Sequence, residues 1–471
     1  MPALEVGGSD IVITNVRLPY AEEALAATTW MVECRGGRIL RISPQEDARS
    51  TVSSELEDSS RCRILDAEGG IMLPSFCHSH IHLDKCFILD QCGELVRGDF
   101  PEAMEVTRTV KAGFPNRLED LYNRGARLIR ESVLCGVTAM RAHVEVDTSV
   151  GFSCLDAGLK LQGDYRKQCD VQISVFAQEA LFESLDIHSP GQNYALLEEA
   201  ASRPGISVVG SAPYVEPSVE QAKENIALIL NIADRHDIKQ VDFHLDYNLD
   251  SNSEPLIYEV IRQAKQLYSD GRKSSAELVD KVKGPCPLIT IGHATRLQLF
   301  SDKEWRELAT AISDLPIIFV GLPQSDMYMQ GRAHWDEPLG APRGTLRVPY
   351  ISRRYGIDIA MSVNNVDNAF TLQGSLDPLS LCTFGVSVFQ AATTEDIRSL
   401  ARSVTLTSKR AIGQNNVPHD LSPDVDDPAD FVILHGQPTL RSAVLNPGFD
   451  RTTIKAGKVV ASRRSTTWFS S

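Results

Sequence analysis

Residues Pro74-Ser-Phe-Cys-His-Ser-His-Ile-His-Leu-Asp-Lys85 place three histidines at two-residue intervals at the end of an apolar run. Side chains two apart in a strand share a face, so His80 and His82 point together at one side of a sheet. Two imidazoles presented that way make half of a tetrahedral metal site. His78 lies one step lower in the same alternation and reads as a packing or supporting residue.

Around this segment, residues 71–82, the sequence carries seven further apolar runs, at 137–146, 171–178, 207–214, 240–247, 288–293, 317–322 and 357–363. Amphipathic helical sequence fits between them. Ser218 opens one helix with Gln221 three residues on, and Ile226, Ile229, Leu230 and Ala233 line a single face. Ser301 opens another ahead of Glu304. Strands apolar throughout, each followed by a helix, predict an α/β fold: a (β/α)8 TIM barrel with a parallel sheet. A doubly wound open sheet is the alternative, but no glycine-rich phosphate loop follows an early strand.

Both ends have a different texture. Residues 9–49 and 430–462 alternate with period two around glycines, which predicts hairpins, and Ser442-Ala-Val-Leu445 is read among these strands. The expected organisation is residues 1–70 and 415–471 as the two parts of a small β-sandwich, with 71–414 forming the barrel between them.

A net charge of −15 opposes contact with phosphate backbones, so nucleic acid is not an expected partner. No apolar run nears the roughly 20 residues a membrane span needs. The start lacks a basic segment followed by an apolar one, and the ten cysteines are scattered without a CxxC pair, so a cytoplasmic protein with reduced thiols is expected. The expected partner is a small-molecule substrate; a homo-oligomer stays open.

A parallel barrel gathers its site at the C-terminal ends of its strands. His244 closes the fifth, after Val241-Asp-Phe, and His293 the sixth, after Ile289-Thr-Ile-Gly. His80, His82, His244 and His293 are the expected ligands of one divalent metal ion, Zn or Fe. His143 closes the second strand, where it either faces the substrate or packs structurally. The loops 86–116 and 324–344 are expected to shape the pocket, with Phe87, Tyr328, Arg332, Trp335 and Arg343 among its lining residues.

The segment Pro74 to Lys85 resembles the HxH signature of the amidohydrolase superfamily, and its His-Ile-His-Leu-Asp form resembles the cytosine deaminase branch. Residues 136–146, 176–179, 242–246, 292–295 and 322–332 resemble later strands and loops of that branch. The resemblance implies a metal-dependent hydrolase acting on a carbon–nitrogen bond, by deamination or amide hydrolysis, of a small heterocyclic or cyclic amide substrate. It also implies that Gln178 hydrogen-bonds the substrate ring.

Two positions depart from the family pattern. Asn364 stands where an aspartate is expected at the end of the eighth strand, and Tyr247 where a glutamate is expected after the third histidine. An amide cannot take a proton near neutral pH, and a phenol of pKa about 10 is a poor shuttle. Asp246 and Asp367 are the nearest carboxylates and the candidate bases, Tyr247 a candidate acid, and Asn364 a substrate contact or weak ligand. Two alternatives follow from these changes: the same metal site running lyase, cyclase or isomerase chemistry, and a non-catalytic binding relative.

Overall fold

The computed structural model describes residues 10–45, 62–269, 285–331 and 344–470. Of the expected lining residues, Arg332, Trp335 and Arg343 lie outside the described residues.

The chain opens with β1 (Asp10–Val16), β2 (Trp30–Arg35), β3 (Arg38–Pro44) and β4 (Cys62–Asp66), hydrogen-bonded in the order β3-β2-β1-β4. The expected strand 71–82 is two strands, β5 (Ile71–Pro74) and β6 (Phe76–His82). Ser75 is the crossing point. Its N–H donates to Asp430 O at 3.0 Å, and the next N–H, of Phe76, donates to Gly136 O at 2.9 Å. One residue thus carries the chain from one sheet into another, which ties the smaller domain firmly to the histidine strand.

From β6 the barrel continues through β7 (Val137–Glu145), β8 (Asp170–Ala177), β9 (Val208–Ser211), β10 (Gln240–Leu245), β11 (Leu288–His293), β12 (Ile317–Gly321) and β13 (Ile359–Met361). All ladders in this sheet are parallel and the strands pair in sequence order, with helices between them. Side chains of every residue of β7 are buried, as a strand covered on both faces requires. This is a (β/α)8 barrel. Its ends meet where Asn364 forms an isolated bridge to Ile81: Asn364 N donates to His80 O at 3.2 Å, and His82 N donates to Asn364 O at 2.9 Å. Asn364 has φ +69°, a left-handed conformation that asparagine tolerates better than most residues.

Both caps are present, but the capping box expected at Ser218 is half made, because the Gln221 side chain donates to Ser184 O instead. Ser218 accepts from Gln221 N, and Ser301 with Glu304 forms a reciprocal capping box.

The chain finishes with β14 (Phe431–Leu434), β15 (Arg451–Lys455) and β16 (Lys458–Arg463), forming an antiparallel sheet ordered β16-β15-β14-β5. The two small sheets share a core that includes Ile13, Val32, Met72 and Phe431. Residues 442–445 are not a strand but part of the helix Leu440–Leu445. Thr439 caps it: its hydroxyl accepts from Ser442 N at 3.0 Å. Four apolar-leaning residues fit either period, and the cap decides. Among the described residues no helix is long and apolar enough to cross a membrane.

Candidate metal centre

Five imidazoles converge at the C-terminal mouth of the barrel. The His80 ring centre lies 4.2 Å from that of His244, 4.4 Å from His143 and 5.7 Å from both His82 and His293. His82 stands 5.1 Å from both His143 and His244, and His244 stands 5.5 Å from His293. The strand alternation accounts for His80 and His82 together. A register shift between His78 and Ile81 separates His78, which sits buried near the Leu376 backbone, outside the cluster.

Burial holds His80, His82, His143 and His244 well below the ordinary imidazole pKa, so the rings are neutral, the form that binds metal. Both ring nitrogens of His80 and His143, Nδ1 of His82 and Nε2 of His244 are buried without a hydrogen-bond partner, as are Oδ1 of Asp242 and Oδ1 of Asn364. So many unpartnered polar atoms in one place are costly in a dry core, and a divalent cation would engage one nitrogen of each ring that reaches it. The donors fit such an ion, and imidazole suits zinc and iron alike.

Above the rings is a cavity whose water-accessible space is about 20 Å³, roughly one water. His82, His244, His293 and Asn364 form its floor; Lys85 and Gln178 stand on one wall; Phe100, Tyr214, Tyr247 and Phe370 close it with aromatic rings. His143 lies beneath the floor and does not line the cavity.

The two carboxylates expected near the reacting atoms, Asp246 and Asp367, do not line the cavity. Asp246 accepts from Leu256 N at 2.8 Å and Ile257 N at 3.1 Å, at the start of the helix Ile257–Ser269. Burial raises its pKa to about 7 against those two bonds. Asp367 is half-buried, and its carbonyl holds the N–H groups of Ile88 and Leu89 at 3.0 Å. Tyr247 does line the cavity, packed at a tilt against His293 with ring centres 3.9 Å apart. Burial pushes its phenol well above the ordinary value, so it stays protonated. Asn364 Nδ2 donates to Ser325 Oγ at 2.9 Å, which turns Oδ1 away from that bond.

Several residues carry the site without having stood out in the sequence. Asp326 Oδ1 lies 2.9 Å from His293 Nδ1, and its Oδ2 accepts from Thr345 Oγ1 at 2.6 Å and Leu322 N at 3.2 Å. Lys85 Nζ donates to Glu145 Oε1 at 2.9 Å and to Gln178 Oε1 at 3.0 Å. Burial alone would raise the Glu145 carboxyl, but Lys111 and Lys85 beside it hold it down to about 2. Lys111 in turn reaches Asp147 and Glu179, each at 2.8 Å, so the wall behind the cavity is a charge-paired network. Lys85 directly follows the histidine motif and Asp242 shares a strand face with His244; both signals were present in the sequence.

No family model matches the chain. A curated relative, the N-isopropylammelide isopropyl amidohydrolase of Pseudomonas sp. (strain ADP), is 23% identical over 270 residues, and the match spans 56% of this chain and 59% of the relative. The crystal structure of 5-methylcytosine deaminase from Klebsiella pneumoniae liganded with 5-fluorocytosine superposes with a TM-score of 0.78 at 22% identity, covering 98% of this chain and 99% of that one. The chain has the amidohydrolase fold. N-isopropylammelide isopropylaminohydrolase from Burkholderia multivorans ATCC 17616 shares it too, with a TM-score of 0.72 and 21% identity over 96% of this chain and 98% of that one. Within this amidohydrolase fold the histidine cluster occupies the barrel mouth, where a parallel barrel places its chemistry.

Proposed function

We propose that the chain is a metal-dependent hydrolase that cleaves a carbon–nitrogen bond of a small planar heterocycle. The observation that carries this reading is the cluster of buried imidazoles with unpartnered nitrogens, His80, His82, His143 and His244, of which His82 and His244 line an aromatic-walled cavity. The likeness to deaminases and amidohydrolases supports it. His80 and His244, whose rings face each other, would hold one zinc or iron ion with neighbouring donors of β6 and β7. Bound there, the ion would lower the pKa of a water ligand to about 7 and supply a nucleophile at neutral pH.

The base that Asn364 and Tyr247 cannot provide is available in His293. With Asp326 accepting from Nδ1–H, the other nitrogen, Nε2, is left as a proton acceptor, and the ring lines the cavity. Asp326 fixes both the tautomer and the ring orientation. The Tyr247 phenol, always protonated, serves as a donor and a stacking surface. With a base in place, the case for non-hydrolytic chemistry built on Asn364 and Tyr247 loses its motive.

Lys85 sets the substrate's orientation. An ammonium has three N–H bonds. Among the described residues two are matched, by Glu145 and Gln178, and Lys85 lines the cavity. The third suits an acceptor edge of the ring, a carbonyl or a ring nitrogen anion. Gln178, with its oxygen held by Lys85, keeps its amide hydrogens for the ring as well. A cytoplasmic setting fits the nine described cysteines, all unpaired.

Metal analysis of the purified chain and ammonia or amine release from a panel of amino- and oxo-substituted pyrimidines and triazines test the proposal. One bound ion with turnover of at least one oxo-heterocycle is expected. A metal-loaded protein that turns over none of the panel would end the hydrolase reading.

A further inference from the structure

Asp242 is a carboxylate with an unpartnered oxygen that faces three rings of the imidazole cluster. It is fully buried on β10, one inward position below His244, and its two oxygens live differently. Oδ2 accepts from Arg141 Nη1 at 2.8 Å, and Arg141, itself fully buried, also donates to Thr290 Oγ1 at 2.6 Å and Gln172 Oε1 at 2.9 Å. Oδ1 has no partner. It lies 3.8 Å from His244 Nε2, 3.9 Å from His143 Nε2 and 4.0 Å from His80 Nδ1. The candidate ligand atoms of His80, His143, Asp242 and His244 all lie within 4.8 Å of one another, in a setting closed to solvent.

These separations are too long for hydrogen bonds. A cation bonded tetrahedrally at about 2.1 Å sets its ligands about 3.4 Å apart. A buried water with partners at about 2.8 Å would set them about 4.6 Å apart. The oxygen–nitrogen spacings to His244 and His143, 3.8 and 3.9 Å, stand nearer the first, and that to His80, 4.0 Å, falls midway. His82 and His293 do not enter the group: His82 gathers instead with Asp84 and Glu145, and the Nδ1 of His293 is engaged by Asp326.

We infer that the ion sits one layer deeper than the HxH motif suggests, held by His80, His143, His244 and Asp242. The anionic ligand that Asn364 does not supply from the eighth strand comes instead from the fifth. Arg141 is its positioning residue, fixing the carboxylate through Oδ2 and leaving Oδ1 toward the ion. His82 and His293 are thereby free to face substrate and water. The inference rests on the metal-dependent reading, yet metal binding alone can test it.

The test titrates the metal-free full-length chain with Co(II), following the visible spectrum and the dissociation constant. Wild type should bind one equivalent. Asp242→Asn and His143→Gln should each weaken binding at least tenfold and alter the ligand-field bands, with circular dichroism confirming the fold. Because Asp242→Asn strands the Arg141 charge, the double variant Arg141→Met/Asp242→Asn, which removes both charges, is the second arm and should also bind at least tenfold more weakly. Binding as tight as wild type in folded Asp242→Asn or in the double variant overturns the inference, and so does a wild-type chain that takes up no Co(II) because the pocket holds water only. Co(II) binding with the predicted losses but without turnover of any heterocycle would overturn the hydrolase reading and leave the deep site standing.

Discussion

Replacing Asp326 with asparagine exchanges one acceptor for a donor at the point where His293 is held. Asp326 accepts three bonds, from His293 Nδ1 at 2.9 Å, Thr345 Oγ1 at 2.6 Å and Leu322 N at 3.2 Å. An asparagine keeps its carbonyl for Thr345 and Leu322 and turns its amide hydrogens to His293. The imidazole then presents a lone pair at Nδ1 and carries its proton on Nε2, so the nitrogen facing the cavity no longer accepts. The fold should survive, since every bond has a partner of reversed or equal sense, at a cost of about 1 kcal/mol. Catalysis should not. Loss of a positioned general base lowers kcat by roughly 10²–10⁴-fold, about 2.7–5.4 kcal/mol of activation free energy. Steady-state kinetics on the best heterocycle of the panel, beside calorimetric unfolding, measure both quantities. The imidazole ¹⁵N shifts of His293 report the tautomer directly. A kcat within threefold of wild type in a folded Asp326→Asn, or an unchanged tautomer, refutes the assignment of His293 as the base.

Three more outcomes are expected. Gly292 leaves room for a ligand, since a Cβ there would stand 2.6 Å from His80 Cε1 and 2.8 Å from His80 Nδ1; Gly292→Ala should weaken metal binding at least tenfold in equilibrium dialysis and cost about 1–3 kcal/mol in stability. Asn364→Asp places a carboxylate where the unpartnered Oδ1 now sits, outside the deep ligand set, and should leave metal loss to a chelator within threefold of wild type; a much slower loss would mean that the eighth strand faces the ion. His78, whose pKa burial pushes down to about 3 from an ordinary 6.5, stays neutral in the fold while the unfolded chain binds a proton. Stability is therefore complete above about pH 6.5 and falls as pH drops toward 3, by an amount on the order of 5 kcal/mol. Acid titration of His78→Leu should show an unfolding midpoint displaced to lower pH.

The architecture was largely legible, because strands buried on both faces read as unbroken apolar runs and all eight barrel strands announced themselves that way. What escaped was the crossing at Ser75, since an apolar run does not say when a chain changes sheets, and the helix at 440–445, where a Thr–Ser cap outweighed four ambiguous residues. In the site, alternation and strand ends singled out the histidines. Their relative depth was hidden because it depends on the stagger between neighbouring strands, and that stagger puts His143 beside His80. The placing of the carboxylates was not legible either. Asp246 and Asp367 are close to the expected positions in number, but neither lines the cavity, and the Asp246 carboxylate instead accepts from Leu256 N and Ile257 N. Asp326 belongs to the helix Pro323–Met329, and only the folded chain brings it under His293.

The isolated bridge between Asn364 and Ile81 gives the barrel a hoop with its clasp inside the reaction chamber. Whatever loosens that clasp, heat or pressure or a crowded substrate, also shifts His80 and His82, whose backbones form it. Activity should thus fade at temperatures where the helices are still intact, and the amide hydrogens of His82 and Asn364 should exchange ahead of those in the staves opposite.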